Sequence, residues 1–349
     1  MEINFHKVPL KKRFPLAISR GVKGDSYNLF LSYKKEGFTG WGEGAPGKSE
    51  RATTVEEIQN QLTIFIETGI AALSPEKLNL RAKEMNISPC AYAAFDIAFW
   101  DWKAKKAGLP LHQLLKIPTP TVPTSLTLGI IPPEQVKDRI TLLLENTTAK
   151  ALKVKLGAPE GIEADQEMFA KVLESTQKYN VKIRVDANGG WSTEAALFMM
   201  RWLADRGVDY IEQPLEEGKE SELKYLYKNR ALPLYIDESC RFAEDVGKWA
   251  DCIDGVNMKL MKCGGITEAL QIIKNAKKYE LKTMIGCMSE SSVSIAAAAS
   301  LSGAIDQIDL DAHYNLAPDP STGAQLVDGI TLPDVKPGHG GILKPEYYA

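Results

Sequence analysis

Apolar residues recur with a strand-like alternation from Tyr27 to Tyr33, and with helical spacing at Ala94, Ala98 and Trp102 within Ala91 to Lys105. The first 45 residues hold the strand-like stretches. They end in a glycine-rich segment, GWGEG (Gly40 to Gly44), which reads as a turn. Strands followed by helices without alternation predict a small α+β domain over residues 1–120. A proline-rich joint, Ile117 to Pro123, then marks a change of pattern. After it, short apolar runs alternate with helical segments such as Glu163 to Gln177 and Thr193 to Arg206. The predicted strands are Ser125–Leu128, Ala151–Leu156, Lys182–Val185, Tyr210–Glu212, Leu234–Ile236, Gly255–Met258, Thr283–Ile285 and Ile308–Leu310. Eight strand–helix units of roughly 25–30 residues predict an α/β fold, a (β/α)8 TIM-type barrel over residues 121–320. The remaining segment, 321–349, is rich in Pro and Gly. It is expected to return to the N-terminal domain, which would cap the barrel.

Composition narrows the function classes. The chain has 349 residues, 44% apolar, with a net charge of −3 spread along its length. No basic face for nucleic acid and no polybasic run for a membrane surface is visible. The five cysteines (Cys90, Cys240, Cys252, Cys263, Cys287) are scattered without a CxxC, which argues against a disulfide framework and a structural zinc site. MEINFHKVPLKKRF lacks the apolar stretch of a signal peptide, and Asp96 interrupts the apolar run Ala93 to Trp100. A soluble cytoplasmic protein is expected. His6, His112, His313 and His339 are dispersed, with no HxxxH or HExxH, and GxSxG is absent. GHGG at Gly338 reads as a tail turn.

In such barrels the chemistry lies at the C-terminal ends of the strands. There stand Lys153 and Lys155 on strand 2, Asp186 (RVDAN) on strand 3, Glu212 (IEQP) on strand 4 and Asp237 (IDES) on strand 5. Lys259 (NMKLMK) ends strand 6, and strand 8 carries Asp309 and Asp311. Each acid could separately cap the following helix. Three acids ending consecutive strands about 4.8 Å apart converge, however, and call for a cation. Oxygen-only ligands select a hard ion, Mg²⁺ before Mn²⁺.

Lysines two apart point to the same side of a strand. In a barrel covered on both faces this suits a polar mouth, although lysines at a strand end can also snorkel to solvent. Strands 2 and 6 face each other across a ring of eight, so Lys155 and Lys259 stand on opposite walls as an acid/base pair. One removes a proton while the other delivers one from the far side. Burial beside a cation is expected to lower the pKa of such a lysine. Lys262 falls in the next loop and is expected in solvent. Glu238 and Asn188 are candidates for orienting ligands or a lysine, or for capping.

KVK, RVDAN, IEQP, IDES and NMKLMKCGG, in this order and spacing, resemble the enolase superfamily and its muconate-lactonizing subgroup. The resemblance covers nearly the whole chain, GWGE included. It implies a lysine base with Mg²⁺ stabilising an ene-diolate. Asp309-Leu310-Asp311-Ala312 is most similar to the dipeptide epimerases, of which L-alanine-D/L-glutamate epimerase is the type. In that family the aspartate pair holds the free ammonium of the dipeptide. Here the pair could also be an acidic layer satisfied by backbone or lysine groups. The resemblance further implies that the C-terminal carboxylate binds Mg²⁺ with help from Lys153. It places Thr127, Cys287 and Ser289 along the substrate. Glutamate-specific members carry a capping-domain arginine where this chain has Ser19; Arg20 comes one residue late and, on a strand, faces the other way. A small or apolar C-terminal residue is therefore expected, with the loops Ser19–Ser26 and Gly47–Thr53 deciding specificity. The partners expected are a small-molecule dipeptide and further copies of the chain in a homo-oligomer, with no nucleic acid and no membrane. Two rivals share much of this site: a lyase or cycloisomerase such as o-succinylbenzoate synthase or muconate cycloisomerase, and a non-catalytic Mg²⁺-bound peptide-binding barrel.

Overall fold

The computed structural model describes residues 1–145 and 147–348; Asn146 and the terminal Ala349 lie outside the description. The N-terminal layer begins with β1 (Glu2–Leu10), a small hairpin of β2 (Leu16–Ile18) and β3 (Gly21–Lys23), β4 (Ser26–Lys35) and β5 (Phe38–Gly44). β1, β4 and β5 form an antiparallel sheet. Three helices follow, α1 (Val55–Glu67), α2 (Pro75–Glu84) and α3 (Pro89–Ala107); α1 and α3 pack on the sheet, and α2 packs on α3. Thr54 starts α1 by accepting a hydrogen bond from Glu57 N, as an N-cap should.

GWGEG is not a turn. It forms the body of β5, and its glycines are there for packing. A Cβ on Gly40 would lie 2.0 Å from the Ala98 carbonyl oxygen, and one on Gly42 would lie 2.0 Å from that of Ala94. Alternate glycines on the strand thus meet alanines one helical turn apart on α3, and the two backbones touch. Turn chemistry and close backbone approach both call for glycine, and the sequence alone does not separate them.

After the short helix α4 (Leu111–Leu114) come the parallel strands β6 (Ser125–Leu128), β7 (Ala151–Lys155), β8 (Lys182–Asp186), β9 (Ile211–Glu212), β10 (Leu234–Ile236), β11 (Gly255–Lys259), β12 (Lys282–Gly286) and β13 (Gln307–Ile308). Neighbours in sequence are neighbours in the sheet, and a Thr124–Ile308 bridge closes the ring. Helices α5 (Pro133–Leu144), α6 (Ile162–Thr176), α7 (Thr193–Ala204), α8 (Leu223–Asn229), α9 (Ala243–Trp249), α10 (Leu260–Cys263), α11 (Ile266–Lys278) and α12 (Ser292–Ala299) follow the first seven of these strands, two of them (α10 and α11) after β11; among the described residues β13 is followed by a 3-10 turn instead of an α-helix. This is the (β/α)8 barrel that the apolar periodicity predicts. The last strand is shorter than expected: it ends at Ile308. The chain turns at Ala312–Asn315.

The barrel floor is plugged. Arg184 is buried and donates to Ser125 Oγ (2.8 Å) and to the Ile308 carbonyl (3.1 Å). Beside it Tyr210, Tyr235 and Met284 form a separate apolar cluster. The tail runs back over the N-terminal layer, where Leu343 packs with Val8, Phe30, Trp41 and Val293. No helix among the described residues is long and apolar enough to cross a membrane.

Candidate active site

The strand register sets the site in layers. Lys153 lies opposite Arg184, and one layer higher Lys155 lies opposite Asp186. Asp186 in turn lies opposite Glu212 on β9. Asp237 follows the end of β10. Asp186, Glu212 and Asp237 are buried, and each offers an oxygen within 4.8 Å of the others'. Three hard oxygen donors at this spacing fit a divalent cation such as Mg²⁺.

Four ammonium groups crowd these acids. Lys155 donates to Asp186 Oδ2 at 2.6 Å. Lys259 Nζ lies 2.6 Å from Asp237 Oδ2, and Lys153 Nζ lies 2.6 Å from both Glu212 Oε2 and Asp309 Oδ2. Lys262 donates to Asp237 Oδ1 at 2.7 Å. Glu212 Oε2 and Asp237 Oδ2 are met by Lys153 and Lys259 as ion pairs. These contacts are ionic, and the two oxygens keep the capacity to bind a metal.

Lys262 corrects the expectation of a solvated loop residue. It is fully buried on α10, which folds it back under Asp237, where it also donates to the Asp237 and Asn257 carbonyls. The helical turn that directly follows β11 is what reverses its direction.

Burial and charge pull the titrations apart. Burial raises Glu212, with the repulsion of Asp186 second, to about 7. Burial also opposes ionisation of Asp186 and Asp237. Lys155 and Lys153 outweigh it at Asp186, and Lys259 and Lys262 at Asp237, so both acids are held below the usual carboxylate range. For Lys259, burial disfavours the ammonium, yet Asp237, Glu238 and Glu212 outweigh burial and hold it above the ordinary lysine value.

A cleft of about 1360 Å³ opens over the acids, between the barrel mouth and the N-terminal hairpin. Lys155, Lys259, Thr127, Cys287, Ser289, Asp309 and Asp311 all line it. Lys153 lies beneath it, fully buried. Asp309 and Asp311 follow β13 rather than forming part of it. Each has one oxygen anchored: Asp309 Oδ2 by Lys153, and Asp311 Oδ2 by the Thr127 amide at 2.6 Å. Asp309 Oδ1 is buried with no hydrogen-bond partner among the described residues. Burial, then the charge of Asp309, pushes Asp311 up to about 7. A buried acid pair with a free oxygen beside open space suits a cationic group. Burial also keeps the Cys287 thiol protonated, well above its usual value.

The supporting groups are of two kinds. Asn188 orients Asp186 through its amide N (2.8 Å) and Nδ2 (3.1 Å). Asn257, unremarked in the sequence, donates to Glu212 Oε1 at 2.7 Å. Its signal was its place on β11, two residues before Lys259 and on the same face. Arg20 also departs from expectation. Ser19 and Arg20 form the two-residue turn between β2 and β3, where Ile18 lies opposite Gly21. Strand alternation does not hold in a turn, so both side chains reach the barrel and donate to the Asn188 carbonyl, each at 2.7 Å.

With this geometry in view, the relatives are informative. The family model described as "Mandelate racemase / muconate lactonizing enzyme, N-terminal domain" matches residues 1–116, and "Enolase C-terminal domain-like" matches residues 135–347. A protein named hydrophobic dipeptide epimerase, from Flavobacteria bacterium (strain MS024-2A), is 64% identical over the full length of both chains. Another protein of that name, from Roseobacter litoralis, is 54% identical over 98% of this chain and 99% of its own. The solved structure of a dipeptide epimerase from Enterococcus faecalis V583, complexed with Mg and the dipeptide L-Leu-L-Tyr, matches with a TM-score of 0.87. It is 32% identical and covers 97% of this chain and 98% of that one.

Proposed function

The chain belongs to the mandelate racemase / muconate lactonizing enzyme family of the enolase superfamily, and on that premise we propose that it is a Mg²⁺-dependent dipeptide epimerase. The reaction is a 1,1-proton transfer at the α-carbon of the C-terminal residue, and that residue is small or apolar. The observation that carries the reading is the placement of Lys155 and Lys259 on β7 and β11, four strands apart in the ring, each beside an acid of the metal trio.

Asp186, Glu212 and Asp237 hold the metal. Bound Mg²⁺ supplies a Lewis acid for the charge that develops on the substrate carboxylate as the α-proton leaves. Lys155 or Lys259, depending on the starting epimer, takes that proton; the other returns one to the opposite face. Lys153 adds positive charge from the layer below. Asp309 and Asp311 grip the free ammonium, with the unpartnered Asp309 Oδ1 as acceptor. Thr127, Cys287 and Ser289 line the bound dipeptide. Leu16, Ile18 and Val22 of the hairpin and Ala158 and Pro159 of the loop after β7 supply apolar surface to the cleft lining, which supports the choice of C-terminal residue. The names of the relatives and the Leu-Tyr complex agree with it.

We divide the chain into a capping domain (1–120), the barrel (121–320) and a tail (321–349) that returns to the cap. We place it in the cytoplasm, where its five free thiols are at home. We also assign it a homo-oligomeric state, for which exposed Phe198 and Tyr225 on the neighbouring helices α7 and α8 offer apolar surface.

The test is incubation with a dipeptide library in D2O with Mg²⁺, read by mass for α-deuteration. Exchange at the C-terminal residue of free-amine dipeptides is expected. A library left entirely unlabelled would refute the reading. Loss of exchange in Asp309→Asn for free-amine substrates separates an epimerase from a lyase on the same scaffold, because the lyase needs no ammonium site.

A further inference from the structure

The two lysine walls are built differently. On one, Lys259 ends β11 and α10 follows at once from Leu260, so a helical turn fixes the chain behind it. On the other, Lys155 ends β7 and α6 begins only at Ile162. The last ladder bond runs from the Leu156 amide to the Asp186 carbonyl at 2.9 Å. At Gly157 the chain turns left-handed (φ +87°), and a Cβ there would stand 2.5 Å from the Ala187 carbonyl oxygen. The residue type with the greatest backbone freedom is thus required two positions after Lys155. The amides that follow the ladder are met by Asp165, a buried residue in the first turn of α6. Gly157 N donates to Asp165 Oδ1 (3.0 Å) and Oδ2 (2.9 Å), and Ala158 N donates to Oδ1 (2.9 Å). Oδ2 also accepts from Trp191 Nε1 at 2.8 Å. Trp191 belongs to the loop after β8, so one carboxylate gathers the chain behind Lys155 and the chain behind Asp186.

We propose that Asp165 is a positioning residue for Lys155: its carboxylate holds the end of β7 so that the Lys155 side chain reaches its face of the α-carbon, while Lys259 works without it. This rests on the epimerase reading above. Hydrogen bonds to an ionised carboxylate are among the strong ones, and Asp165 is itself carried on a helix of fifteen residues. Without them, two buried amides lose their acceptor and the glycine turn loses its only side-chain tie among the described residues. Lys155 is then free to shift, and a displacement of about 1 Å costs roughly a hundredfold in rate. The Lys259 wall has α10 in place of this tie, so the loss falls on one face of the substrate. A residue that merely stabilised the barrel would slow both faces alike.

The experiment follows α-deuteration of L-Leu-L-Tyr and L-Leu-D-Tyr in D2O by mass, with the full-length, Mg²⁺-loaded enzyme, and turns to other epimer pairs of the dipeptide library if neither exchanges. Lys155→Ala and Lys259→Ala first assign each epimer to its lysine. Asp165→Leu removes both acceptor oxygens at similar volume. Exchange of the Lys155 epimer should fall by about tenfold or more, and exchange of the Lys259 epimer should stay within about threefold of wild type. The double variant Asp165→Asn/Trp191→Phe is the rescue. Its amide oxygen takes the Oδ1 place and both loop amides, and the indole N–H that its NH2 group would meet is gone. Both epimers should exchange within about threefold of the wild-type rate. Falls in Asp165→Leu that are absent, equal for the two epimers or larger for the Lys259 epimer would overturn the proposal. Should that variant fail to fold by circular dichroism, a loss of about tenfold for the Lys155 epimer in the double variant overturns it instead. A wild-type enzyme that deuterates no dipeptide refutes the epimerase reading, whereas an active enzyme without the one-face loss refutes only the role of Asp165.

Discussion

Lys262 holds Asp237 from below, donating to its Oδ1 at 2.7 Å and to its backbone carbonyl, while Lys259 contacts the other carboxylate oxygen. One aspartate is thus shared by a lysine of the cleft wall and a lysine of the core. Lys262→Met keeps the volume and removes the charge. It leaves Asp237 buried beside Asp186 and Glu212 with one compensating ammonium fewer. Breaking such a pair costs about 3 kcal/mol or more. A fall of that size in unfolding free energy, from urea titration with chelator present, is expected. Stability equal to wild type would show that Lys262 can be spared.

The two-wall arrangement makes a sharper prediction for Lys259. In Lys259→Ala only Lys155 can exchange the α-proton, and it reaches one face. Epimerisation should fall by about a thousandfold, within the range for loss of a general acid–base group. One epimer should still exchange its α-proton with D2O, and the other should not. Normal epimerisation by this variant would sink the two-base scheme.

Much of this site was legible in the sequence because barrels place function by rule. Once eight apolar strands are counted, the residues that end them are the candidates, and the structure brings Asp186, Glu212, Asp237, Lys155 and Lys259 together at one mouth of the barrel. What escaped was set by local turns. Lys262 lies only three residues past Lys259, but α10 reverses its direction, and no periodicity announces a four-residue helix. Arg20 was assigned the wrong face because strand alternation was carried into a two-residue turn. GWGEG was misread because close packing and tight turning ask for the same residue.

That last point can be measured. Gly42→Ala would put a Cβ 2.0 Å from the Ala94 carbonyl oxygen, a contact with backbone that no rotamer relieves. Either β5 or α3 must move. Overpacking of this kind costs about 1–3 kcal/mol. Gly24→Ala is the control, since its Cβ meets nothing within 4 Å. A lowered thermal midpoint is expected for Gly42→Ala alone; equal midpoints would show that the strand and helix do not touch as described.

His313 should set part of the acid stability. It is 6% exposed, and neither ring nitrogen has a hydrogen-bond partner among the described residues. Burial lowers its pKa from 6.5 to about 4, against a weaker opposing pull from Asp319. Between these values the unfolded chain binds a proton that the folded protein refuses. Stability from this group is therefore complete above pH 6.5 and is lost as the pH falls toward 4. The full loss is on the order of 3 kcal/mol, from the free energy of about 1.4 kcal/mol per pKa unit. Carboxylates titrate over part of the same range, so the informative quantity is the difference from His313→Gln. Urea midpoints measured from pH 7 to pH 4, with chelator present to remove metal linkage, should fall more steeply for wild type than for the variant. Parallel curves would mean that His313 takes up its proton equally in the folded and unfolded chain.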